Sequence, residues 1–526
     1  MNDSNNIEKK VINGVFSLLI SGLIVKMLGL IYKIPLSYIL SDEGMGYFNS
    51  AYTVYTFFYI ICTAGVPKAI SILIAQAESE GKEGYAEKIY KIALNLFLIL
   101  GMAITILFII LSKPLSLIIG NSGATLTMIS IAPSIVFVCA TGVIRGYFNG
   151  KLNFIPIALS EVISGVAKLV LGIIFANIGY KLGFDLPLIS AFTIFGITIA
   201  SFLGYIYLEI YIKSKKIVKK TKQTFDIDFN KRKIINKIFK IAIPITITST
   251  IGSISNIIDL SVIMHRLKDI GYSELQSGIL YGNYTTLVIP MINLLGTIIA
   301  PITCILLPLI SKSEYENNTQ SISSNISITL KTVSFFVMPI AFIFCFRAYD
   351  VLSIIFEDSS AAMAAPLLQI LAPGAFIMSL VTVLNTSLEG MGKTKIPMIS
   401  LSVAAIFKLI FTFLFVGNEN YSILGAPLGT SLSYFIAFII SFYYVAINQK
   451  ISINFIKTLL QVLAACTASI IISSLFRNAI NANNVLGFIF EMFVFGVTYI
   501  IMLYILKFYK LQNILKIGVL YKNNIK

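Results

Sequence analysis

Four ionisable residues stand where a charge is costly, well inside long apolar runs: Lys26, Lys168, Lys408 and Asp259. Lys168 lies twelve residues beyond Pro156, which at helical rise is about 18 Å into a helix. Lys408 lies eleven beyond Pro397, at nearly the same depth. Lys33 is nearer a helix end. A charge at the centre of a bilayer costs about 3 kcal/mol, so such groups face a bundle interior or a watery cavity. Two kinds of chemistry fit. The groups could be structural ion pairs, Lys26 with Asp259 and Lys168 with Glu161. Alternatively they form a cationic cavity wall, where lysine binds phosphate or pyrophosphate as a point charge.

Sign distinguishes these. Glu161 and Glu491 are shallow in their runs and expected to reach water by snorkelling. Lys26, Lys168 and Lys408 then outnumber Asp259, a modest positive excess that favours an anionic substrate. The expected binding residues are Lys26, Lys33, Lys168, Lys408 and Asp259. No catalytic residue is expected.

The elements that must carry these groups follow from composition. Hydrophobic residues are 57% of the chain and charged ones 12%, with a mean hydropathy of +0.88. No soluble domain could present that to water. Apolar runs of about 20 residues occur near 11–34, 47–75, 89–111, 125–148, 156–178, 188–212, 238–264, 279–310, 326–347, 366–388, 397–417, 424–447, 455–476 and 485–507. They are too long for barrel strands, so the expectation is an all-α polytopic membrane protein of about fourteen spans.

The chain also repeats itself. Residues 132–169 align without a gap over 372–409, setting Ala132-Pro133 on Ala372-Pro373, Gly150 on Gly390, Ser160 on Ser400 and Lys168 on Lys408. Extended leftwards with small gaps, the register sets Tyr52-Thr53 on Tyr284-Thr285, and the segment around Lys26 on that around Asp259. Six helices return the chain to its starting side, so the repeats are parallel. The expected parts are a six-helix lobe at 1–212, a basic linker at 213–240, a second six-helix lobe at 241–447, and an appended helix pair with a basic tail at 448–526. Ala465, Ser469 and Ser473 form a small-residue stripe on which a neighbouring helix can pack closely.

Basic residues crowd the linker and alternate loops, which places the linker and both termini in the cytoplasm of a multi-pass cell membrane protein. The net charge of +16 is thus topological, with attraction to anionic membrane lipids second. It does not call for nucleic acid. Cys62, Cys139, Cys304, Cys345 and Cys466 are scattered without CxxC spacing beside one histidine, His265, and are read as packing residues. No metal or cofactor is expected. The chain has no P-loop or GxSxG, so it reads as no ATPase and no other enzyme.

The run Lys26-Met27-Leu28-Gly29-Leu30-Ile31-Tyr32-Lys33-Ile34-Pro35-Leu36, then Glu43-Gly44-Met45-Gly46-Tyr47-Phe48, Ala64-Gly65-Val66-Pro67 and Arg145-Gly146-Tyr147-Phe148-Asn149-Gly150, resembles the MOP (multidrug/oligosaccharidyl-lipid/polysaccharide) exporter superfamily. Its stage V sporulation protein B and MurJ-like branch is the nearest in pattern. The resemblance covers essentially the whole chain. It implies a flippase for undecaprenyl-linked saccharides, with peptidoglycan lipid II as the leading substrate, including for spore cortex. It also implies that Lys26 lines the central cavity, that the appended helices form a groove for the lipid tail, and that cell-wall synthases are candidate partners. Members of the MurJ type carry several cavity arginines. Here the position six residues after Lys26 is Tyr32, and the second helix around Tyr59 is not basic. Three other readings stay open: a MATE-like cation-coupled multidrug antiporter using Asp259, a flippase for another surface polysaccharide, and a non-transporting scaffold.

Overall fold

The computed structural model describes residues 2–80, 83–214, 231–449, 454–480 and 485–506. Part of the basic linker, at 215–230, and the tail at 507–526 lie outside the described residues. Among the described residues every regular element is a helix. In chain order these are α1 (Asn2–Thr63), α2 (Gly65–Ser79), α3 (Glu83–Ile119), α4 (Thr125–Ile131), α5 (Ser134–Gly150), α6 (Ile155–Lys181), α7 (Leu186–Ser214), α8 (Lys231–Asp269) and α9 (Glu274–Asn283). A π-helical turn, Tyr284–Val288, leads into α10 (Ile289–Tyr315). Then follow α11 (Thr319–Phe346), α12 (Ala348–Ser353), α13 (Asp358–Gly390), α14 (Lys395–Val416), α15 (Gly425–Gln449), α16 (Asn454–Ile480) and α17 (Val485–Ile505).

Among the described residues, 11 helical stretches are long and apolar enough to cross a membrane, or 12 when the bent α4–α5 pair is one span. One of them, Ile20–Glu78, is 59 residues long, about 90 Å of helix against a hydrocarbon core of about 30 Å. It is broken at Ser41, whose φ of 55° and ψ of 177° leave the helical region. A non-glycine residue at positive φ turns the chain sharply. The 39-residue α8 adds a further long helix. Together these are compatible with the fourteen expected spans.

The chain forms two compact units, Met1–Thr286 and Leu287–Lys526. In the first, α1 packs on α6, α8 and α9, and α6 pairs with α7. The α1–α9 crossing is made by backbone. A Cβ on Gly46 would collide with the Gly278 carbonyl, and one on Gly282 would lie 2.8 Å from the Asp42 carbonyl oxygen and 2.9 Å from the Gly46 nitrogen. Gly278 and Gly282 are one turn apart, the small-xxx-small spacing that lets membrane helices approach closely. At its start, α9 is fixed by a Ser273–Gln276 capping box, and the Glu274 carboxylate accepts from the Ser122 hydroxyl at 2.7 Å.

In the second unit α13 is central, contacting α10, α11 and α15. The appended α16 and α17 pack on each other and on α11 through Met338, Val462, Ala465, Cys466, Tyr499 and Leu503. The small-residue stripe is buried as expected, with Ala465, Ser469 and Ser473 all at 0% exposure. The duplication is visible as repeated contacts. A Cβ on Gly150 would meet Ile74 at 2.7 Å, and one on Gly390 would meet Ile310 at 2.8 Å. Ser160 donates to the Gly204 carbonyl at 3.3 Å, and its counterpart Ser400 to the Ala437 carbonyl at 3.0 Å.

One expectation is corrected. Cys62 and Cys139 are not separate packing residues: they form a disulfide, with Cα atoms 4.9 Å apart, joining α1 to α5. Their separation of 77 residues hid the pairing, because only the fold brings them together.

A cationic and aromatic candidate site in the first unit

Lys168 projects from α6 between two rings of α1. Its Nζ is 5.2 Å from the Tyr32 ring centroid and 4.9 Å from that of Tyr52. Each face attracts the ammonium through the ring quadrupole, a contact worth about 0.5 to 2 kcal/mol. Tyr32 is 2% exposed, and its ring lies against Gly172, one turn beyond Lys168, where a Cβ would overlap it. The helix thus supplies a cation and a notch for its aromatic partner from one face. From Tyr32 the rings continue along α1 through Phe48, Tyr52, Tyr55 and Tyr59, with successive centroids about 6 Å apart.

Lys33 is next to Tyr32 in sequence, and its Nζ donates to the Thr285 carbonyl at 2.8 Å. It lies close enough to Lys168 for their charges to interact. Lys26, seven residues earlier on the same face of α1, is exposed, and among the described residues no carboxylate is within salt-bridge distance of it. Asp259 on α8 is buried at 8% exposure. Lys408 belongs to α14 of the second unit, where it is partly exposed.

Among the described residues, neither of the two ion pairs considered, Lys26 with Asp259 and Lys168 with Glu161, is formed. Glu161 pairs instead with Arg145 at 3.2 Å and accepts from Ser21 at 3.3 Å, while its side chain stays partly exposed. Glu491 does not snorkel. It is 0% exposed and binds Arg347 Nε at 2.8 Å and Arg477 Nη1 at 3.1 Å. Arg477 is also bidentate to Asp350, at 2.8 Å for each bond. This closed square of two arginines and two carboxylates ties α16 and α17 to the α11–α12 corner. The acids of both clusters are thereby paired with arginine, and Lys168 and Lys33 are set against rings and a carbonyl. Tyr32 and Tyr52 were the partners that sequence reasoning missed. The available signal was a tyrosine beside Lys33 in a helix already thought to face the cavity.

A duplicated, all-helical membrane bundle with basic groups lodged inside one unit is the architecture of a secondary transporter. The chain belongs to the polysaccharide biosynthesis protein family, whose profile matches residues 11–314, and thus to the MOP superfamily; the MatE family profile matches 244–414. It is 24% identical to Lipid II flippase MurJ of Bacillus subtilis (strain 168) over 454 residues, covering 82% of each chain. To Stage V sporulation protein B of the same organism it is 22% identical, covering 79% of this chain and 80% of that one. Among solved structures, that of Lipid II flippase MurJ in an inward closed conformation has a TM-score of 0.68 at 18% identity, covering 96% of this chain and 99% of the other. The fold is therefore that of a multi-pass transporter and not of an enzyme.

Proposed function

We propose that this protein is a flippase that carries an undecaprenyl-linked anionic saccharide precursor, with lipid II the leading candidate, across the cytoplasmic membrane by alternating access. The observation that carries the reading is the setting of Lys168, a cation held within the helices by tyrosine faces and not by a carboxylate. A charge so placed is positioned yet available to a phosphate. Lys26 and Lys33 on one face of α1 extend the path, Lys408 is the counterpart of Lys168 in the repeat, and Asp259 tunes the local charge. The pyrophosphate head needs such a path because about 30 Å of hydrocarbon separates the two faces. Its prenyl tail stays in lipid. The relative named as a lipid II flippase supports this substrate class.

The duplicated lobes at 1–212 and 241–447 are the parts that would rock, with the linker at 213–240 and both termini cytoplasmic and 448–526 as the appended element. A cysteine placed at Thr221 should react with an impermeant maleimide only after the membrane is breached. Labelling in intact cells would overturn the orientation. The function itself is tested by depleting the protein and assaying lipid-linked precursors. They should accumulate on the cytoplasmic leaflet, and mass spectrometry of the headgroup identifies the saccharide. Unchanged precursor levels on both leaflets would exclude a flippase. The MatE match and the buried Asp259 favour a cation-coupled antiporter as the second reading, which predicts that depletion sensitises cells to cationic drugs without precursor accumulation.

A further inference from the structure

The helical line from Glu274 to Tyr315 changes character once, where Tyr284–Val288 winds as a π-helix between α9 and α10. Such turns are rare and concentrate at functional positions. The boundary between the compact units falls inside it, between Thr286 and Leu287. The repeat sets Tyr284-Thr285 over Tyr52-Thr53, yet α1 is regular α-helix at Tyr52-Thr53. The π turn is therefore particular to the second copy.

Three side chains of α1 hold this region. Lys33 Nζ donates to the Thr285 carbonyl at 2.8 Å. Asn49 Nδ2 donates to Thr286 Oγ1 at 2.6 Å, and Thr53 Oγ1 meets the Tyr281 hydroxyl at 3.1 Å. Asn49 and Thr286 are 4% and 1% exposed, so their bond is out of reach of a ligand. The Lys33 bond is different in kind. It spends one charge of the cationic site on a neutral carbonyl, and a phosphate oxygen competes for the same ammonium with a full opposite charge.

We infer that Lys33 couples occupancy of the cationic site to this π-helical turn: an anionic headgroup draws the ammonium off the Thr285 carbonyl, and the turn loosens. The inference rests on the anionic-substrate reading above. Lys33 is then a positioning residue in the empty protein and a ligand contact in the loaded one.

Hydrogen exchange of the segment 281–289 tests this in the full-length protein in lipid nanodiscs, with undecaprenyl pyrophosphate as the probe and its binding measured in the same samples. In the wild type the probe should raise exchange in this segment about tenfold, the equivalent of losing one hydrogen bond to a charged group. Lys33→Met should show the raised exchange without the probe and no further rise with it. Lys33→Arg should restore both the protection and the response, and Asn49→Ala should loosen the segment while keeping the response. Probe binding to the wild type with no change at 281–289 would overturn the coupling and leave the anionic reading standing. A failure of the probe to bind at all would overturn both. These wild-type arms decide the matter even if a variant does not fold.

Discussion

Glu491→Gln is expected to destabilise the second unit by about 3–5 kcal/mol, the usual cost of removing one member of a buried ion pair. The variant leaves Arg347, itself only partly exposed, facing a neutral amide with Asp350 no nearer than 4.0 Å, and Arg477 loses one of its two carboxylates. Stability of the purified protein, read as the temperature at which it aggregates in detergent, should fall well below that of the wild type. Adding Arg347→Met should recover much of the loss, because Arg477 keeps its two bonds to Asp350. A Glu491→Gln protein as stable as the wild type would show that the square contributes nothing and that α16 and α17 are held by apolar packing alone.

The second large effect concerns Lys168. Lys168→Glu should reduce precursor translocation about 100-fold or more, since reversing a charge at contact distance changes the interaction with an anion by several kcal/mol. Membrane protein levels should remain near normal, because no carboxylate partner is left stranded. Lys168→Arg should keep substantial function, as a guanidinium also stacks on tyrosine faces. Lys168→Met should fall between them. The assay is complementation in a depleted strain, with precursor on each leaflet as the readout. Full complementation by Lys168→Glu would remove this residue from the substrate path.

Legibility in the sequence was uneven, for physical reasons. The helices were legible because a bilayer demands long apolar runs, and the duplication because glycine, serine and lysine recur in register. Ser160 and Ser400 show why: each meets a neighbouring carbonyl, so the pattern records a contact. The depth of Lys168 was also legible. Its partners were not, because Tyr32 and Tyr52 are more than a hundred residues away in sequence and a cation–π contact leaves no spacing signature. Glu491 was misread for the same cause. Distance from a helix end predicts snorkelling, but Arg347 lies 144 residues earlier and only folding delivers it. Breaks in regular helix were invisible as well: nothing about Ser41 or Tyr284–Val288 distinguishes them from neighbouring helical residues.

The meeting of α1 and α9 at Gly46, Gly278 and Gly282 has a bearing on turnover. Most helix contacts are interlocked, so parting them requires side chains to leave their rotamers and repack, which is slow and dissipative. At these three glycines the opposed surfaces are backbone, close enough for dispersion and weak Cα–H···O contacts. There are no rotamers to reset at these glycines, and among the described residues the side-chain bonds that flank them are few: Thr53 to Tyr281 and Asn283 to Asp42. Under the alternating access proposed above, a seam of this kind would adhere over a short range and close again in the same register after each opening.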